Sequence, residues 1–155
     1  LAAVASDREI VARQLGREPR AFRRVVVRCP FGKPAVTEQR PFDDTGAPFP
    51  TAFWLTCPHV VAAVSRVEAA GGVERWTRAT RTDPELARSL EGANEAHRSL
   101  RPELDAGIAG APRDAGSLKC LHAHVAFALA RDGYELGDAI LADVGPLWPA
   151  RCCSE

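Results

Sequence analysis

The sequence predicts an α+β fold: a small antiparallel sheet at about residues 23–56, packed against three or four helices. Three observations predict it. Runs of β-branched and aromatic residues are concentrated before residue 56, whereas helical spacing of apolar residues dominates after it. Strands and helices do not alternate, as a parallel doubly wound sheet would require. With 155 residues, 46% of them hydrophobic and 26% charged, the chain can bury a real core without staples. Residues 1–155 are therefore expected to form one domain, with its core at about 22–144 and a ragged tail at 145–155.

Ser6 and Glu9 make a capping-box pattern before Ile10, Val11 and Leu15, so a helix is expected at 7–15, stopped by Gly16. Val25, Val26 and Val27 mark a strand at 23–29, and Pro30 to Pro34 is turn chemistry. Val36 and Thr37 favour a second strand at 35–40, closing a hairpin. The segment 41–50, with three prolines, is a loop, and Thr51 to Leu55 is a third strand. Cys57-Pro58 opens a helix, because proline suits a first turn whose N–H has no partner. Val60, Val61, Val64 and Val67 form its apolar face, and Gly71-Gly72 ends it. Val73 to Arg78 is read as a short helical turn. Asp83 or Thr82 caps the next helix, which runs to Leu100. Residues 102–117 are a loop. A helix is expected from Leu118 to Arg131, and one more short element from Leu136 to Val144.

Lys+Arg and Asp+Glu are equal at 20 each, so no bulk field draws the chain to nucleic acid or an anionic membrane. Arg17, Arg20, Arg23, Arg24 and Arg28 form a basic stretch, read as a solvated face, with phosphate contact as the alternative. No apolar run is long enough to span a bilayer. Residues 1–20 lack the apolar core of a secretory signal, so a cytoplasmic location is expected. Five cysteines, widely spaced and odd in number, fit reduced thiols better than a disulfide framework.

Chemistry concentrates in Lys119-Cys120-Leu121-His122-Ala123-His124, which holds two of the four histidines. On a continuous helix Cys120 and His124 share a face and His122 points roughly opposite, although at a frayed first turn all three could converge. Thiolate and imidazole are good zinc ligands. Cys57, at a helix N-terminus, is a second candidate thiolate. His97 and Arg101 are expected on one face, and Glu68 is a carboxylate near the end of the helix that Cys57 opens. No Walker loop, dinucleotide fingerprint, nucleophile elbow or common zinc-protease spacing occurs, and no nucleotide cofactor is expected.

Pro48-Phe49-Pro50-Thr51, Phe53-Trp54-Leu55-Thr56-Cys57-Pro58, Gly71-Gly72-Val73, His97, Gly107-Ile108-Ala109-Gly110 and the Lys119–His124 hexapeptide occur in that order. In these blocks, from about Val25 to Val144, the chain resembles the bacterial domain of unknown function family 501, common in actinobacteria. The resemblance implies signature positions at Cys57, Glu68, His97, Arg101, Cys120, His122 and His124, and no established activity. Leu100 stands where an aromatic residue is expected, and Ala109 where a glycine is.

The leading expectation is a metal site, with zinc ahead of iron. Cys57, Cys120 and His124 would be ligands, with His97 or His122 as the fourth. It would be structural if closed. If open to water it would be hydrolytic, with Glu68 or the spare histidine as general base. The alternatives are a metal-free thiol enzyme, with Arg101 and Lys119 binding a small anionic substrate, and a non-catalytic protein that recruits a protein partner.

Overall fold

A computed structural model describes residues 3–113 and 117–151. The expected antiparallel sheet is present, with strands β1 (Phe22–Arg28), β2 (Pro34–Gln39) and β3 (Phe53–Leu55) in the order β1-β2-β3. Val25 pairs with Thr37, and Thr37 with Trp54. The central strand is the most buried: Pro34 to Thr37 and Gln39 are all inside. That follows from its partners on both edges and from helices packed across it.

Six α-helices surround the sheet among the described residues, more than the three or four expected: α1 (Asp7–Leu15), α2 (Pro58–Ala69), α3 (Gly72–Thr82), α4 (Pro84–Leu100), α5 (Leu121–Ala130) and α6 (Glu135–Val144). The capping box at Ser6 and the left-handed Gly16 bound α1 as the sequence implies. The main difference is α3, a full helix where a short turn was expected. Gly71, at φ 85°, turns the chain, and Gly72 restarts the helix at once. A Cβ on Gly72 would lie 2.6 Å from the Val67 carbonyl oxygen, so only glycine lets α2 and α3 meet this closely. A single-turn 3₁₀ segment, Ile108–Gly110, interrupts the loop before α5.

α5 is the hub of the core. Leu121 and every residue from Ala123 to Ala128 are buried, as expected for a helix that is apolar on all sides. Phe127 meets Phe53 of β3 at 5.9 Å between ring centres and Tyr134 at 5.6 Å, both edge-on. No helix among the described residues is long and apolar enough to cross a membrane.

Two buried polar residues, one in α4 and one at its C-cap, fasten the helix to the sheet. His97 accepts the Ala52 N–H at Nε2 (3.0 Å) and faces the Ala106 carbonyl with Nδ1 (2.7 Å). A carbonyl only accepts, so the proton sits on Nδ1 and the ring is neutral. Arg101, 2% exposed, donates from Nη2 to the carbonyls of Gln39 and Thr51.

Candidate functional site

α5 begins three residues later than its sequence pattern implies, and this shift builds the site. Leu118 is buried, and Lys119 follows in the left-handed region at φ 63°. A non-glycine residue there costs about 1–2 kcal/mol. Cys120 is then extended (φ −148°, ψ 142°) and serves as the N-cap, its Sγ accepting the Ala123 N–H at 3.5 Å. Cys120 is thus outside the helix, and the shared face expected for Cys120 and His124 does not form.

Cys120 instead meets His122 and Glu68. One donor atom from each of the three lies within 4.8 Å of the others. Glu68 sits in the last turn of α2, where the helix dipole disfavours an anion. Its Oε1, however, accepts the Leu121 N–H at 2.7 Å, so the same carboxylate stabilises the N-terminus of α5. It also lies 3.0 Å from Nδ1 of His122. Nε2 of that ring faces Ser65 Oγ (3.1 Å) and the Val61 carbonyl (3.3 Å). With acceptors on both sides, the doubly protonated ring is the best satisfied. The His122 pKa is accordingly raised to about 8, first by the hydrogen-bonding Cys120 beside it and then by the Glu68 charge, against partial burial.

Cys120 and His122 line a groove of about 760 Å³ floored by Phe53, Trp54 and Leu55 of β3 and walled by Leu15 and Val61. Glu68 is not part of the lining and reaches the site from behind. Two non-glycine residues with positive φ, Lys119 and Ala109 (φ 59°), border this groove. Such strained positions gather where a site is held in a fixed shape.

The other sequence candidates lie elsewhere. His124 is 2% exposed and points into the core. Its Nε2 donates to the Leu118 carbonyl (3.1 Å), and Nδ1 accepts from Tyr134 Oη (2.7 Å). Burial lowers its pKa to about 4 and raises that of Tyr134. Burial also lowers the pKa of His97, whose two ring nitrogens are engaged by backbone. Cys57 is the N-cap of α2, as expected, but fully buried, and its side chain makes no cap bond. Among the described residues, no group of three metal-ligating side chains includes Cys57, His97 or His124, so the expected four-ligand set is not assembled. Arg101 is committed to backbone carbonyls rather than presented to solvent. In the basic stretch, Arg28 pairs with Asp7, Arg24 with Glu38, and Arg17 lies over Trp54 at 5.2 Å. Cys152 and Cys153 lie outside the described residues.

Sequence reasoning passed over Ser65 and the groove. Ser65 precedes Glu68 by three residues on α2, the spacing that puts two side chains on one helix face. That was the only available signal.

Residues 25–106, just over half of the chain, match the model of a family described as "Protein of unknown function (DUF501)". The match includes Glu68 and stops before Cys120. No curated protein and no solved structure matches the chain.

Proposed function

The chain belongs to the DUF501 family, and from the geometry of its own residues we propose that Cys120, His122 and Glu68 form a thiol-based active site of the hydrolase or acyl-transfer class. One observation carries this reading: Cys120 and His122 face the same groove, with the Glu68 carboxylate behind the imidazole. Each has a role. Cys120 is the nucleophile, its Sγ held at the start of α5 by the Ala123 N–H. His122 is the proton carrier, and Glu68 orients it.

The chemistry balances as two steps. The Cys120 thiolate attacks an electrophilic acyl carbon, forming an S–C bond. The bond to the leaving group breaks, and His122 gives the leaving group its proton. Neutral His122 then takes a proton from water as the water attacks the thioester. The S–C bond breaks, the acid departs, and thiolate and imidazolium are restored.

A second reading rests on the convergence of sulfur, nitrogen and oxygen donors within 4.8 Å. These three residues have the chemistry of a zinc site with three protein ligands and a fourth position open to the groove, which is the hydrolytic rather than the structural pattern. Nδ1 would be the ligand, and Nε2–H would donate to Val61 O, an outer contact typical of metal-bound histidine.

Elemental mass spectrometry of anaerobically purified protein, together with iodoacetamide labelling against pH, separates the two. The thiol reading expects no stoichiometric metal and selective labelling of Cys120 that slows in His122→Ala. About one zinc per chain, lost in Cys120→Ser and Glu68→Ala, would overturn it in favour of the metal centre.

A further inference from the structure

Apart from Lys119 and His122, the groove presents no charged side chain. Both of these residues flank Cys120 in sequence, so charge is confined to the reactive end, while α1, β3 and α2 supply apolar and aromatic surface. At about 760 Å³ it falls in the upper half of the range for small-molecule sites. Residues from α1, β3, α2, α5 and the 3₁₀ turn all contribute, so it runs across the molecule rather than forming a local dent. Trp54 is fixed in the floor, with Phe49 at 5.0 Å and the Arg17 guanidinium against its ring.

Two polar atoms in the lining residues are unsatisfied. Thr56, 1% exposed, has an Oγ1 with no hydrogen-bond partner, and the same holds for Oε1 of Gln14, whose Nε2 is bound to the Pro34 carbonyl. Buried hydroxyls ordinarily find partners.

We infer that the groove binds the hydrocarbon chain of an acyl substrate, with the acyl carbon beside Cys120 and the chain lying over Phe53, Trp54 and Leu55. A chain without charges matches the apolar walls, and its acyl end falls where Lys119, Cys120 and His122 gather. The catalytic part of this inference rests on the thiol reading. Occupation of the groove by the chain does not.

The test therefore uses two independent readouts. First, saturated carboxylates of six to twelve carbons, and a twelve-carbon carboxylate brominated near its methyl end, are titrated into Cys120→Ala while tryptophan fluorescence is followed. Binding is expected to tighten by about four-fold per added methylene until the groove is filled. The brominated chain is expected to quench Trp54, and the quench is lost in Trp54→Phe. Ala62, an exposed residue of the groove wall, tests location. Ala62→Phe and Ala62→Glu are expected to weaken binding at least ten-fold with an unchanged Tm, and two substitutions guard against one of them misfolding. Second, the native protein is assayed on p-nitrophenyl esters from acetate to dodecanoate, where kcat/KM is expected to rise with chain length.

Affinity independent of chain length, or quenching that survives in folded Ala62 variants, overturns the groove inference. Chain binding without turnover of any ester keeps the groove and removes the thiol reading. Equal turnover of acetate and dodecanoate, with no chain binding, does the reverse.

Discussion

His122 and His124 stand two residues apart at the start of α5, and their surroundings drive them in opposite directions. His122 has the Cys120 thiol and the Glu68 carboxylate beside it and a groove in front, and its proton is held up to about 8. His124 has Tyr134, the Leu118 carbonyl and core, and burial drives its proton off down to about 4. The lesson is that a histidine-rich motif is no unit of function. Two residues along the helix, one imidazole lines the groove and the next lies in the core.

The largest test of that contrast is stability. His124→Ala removes a buried ring and strands the Tyr134 hydroxyl, and should cost about 3 kcal/mol. His122→Ala breaks a partly buried pair, 27% and 25% exposed, and should cost about 1 kcal/mol. Urea unfolding of the two variants checks this, and equal losses would break the comparison. Reactivity should reverse the order. Cys120 is partly exposed while Cys29 and Cys57 are buried, so peptide mapping after iodoacetamide should find label on Cys120 alone among these three. His122→Ala should slow that label by on the order of ten-fold, and His124 variants that remain folded should leave it unchanged.

Titration sharpens the contrast further. For His124 the folded pKa lies below the unfolded value of 6.5, so between about 6.5 and 4 the unfolded chain binds more protons. Its neutral fit is intact above 6.5, and stability falls as pH drops through that window. His97 shifts in the same direction and adds to the loss. For His122 the folded pKa is raised, so its contribution is complete below 6.5 and disappears as pH rises through about 8. Imidazole NMR should show one ring titrating near 8 and another still neutral at pH 5. A common midpoint for both would refute the difference. The smallest effect belongs to Glu68→Gln, which keeps an acceptor for Leu121 but loses the charge at the α5 N-terminus. It should cost about 0.5 kcal/mol and lower the His122 midpoint in the same NMR experiment.

Much of the fold was legible because its signals are local. The capping box of α1, the valine strand, the Cys57-Pro58 start of α2 and the Asp83 cap of α4 each lie within a few residues of the boundary they set. α3 was not legible as a full helix, because the face it packs on the core carries only Val73 and Trp76 as large apolar residues, with Gly72 and Thr77 buried beside them. The site was half legible. Cys120, His122 and Glu68 were all named, but the grouping differs, since nothing in Lys119 announces a left-handed backbone that ends the helix before Cys120. The role of His97 was beyond reach for another reason. Its donor, the Ala52 N–H, lies 45 positions away in sequence.

The bond from Leu121 to Glu68 spans 53 positions, and this has a consequence in time. The carboxylate that holds the Leu121 N–H and faces the His122 ring arrives only when α2 and α5 dock. On a chain still being synthesised, or one that has come apart, the Cys120 and His122 pair lacks that carboxylate. On the thiol reading the proton carrier is therefore oriented only in the docked fold, and the rate of Cys120 alkylation reports on that docking.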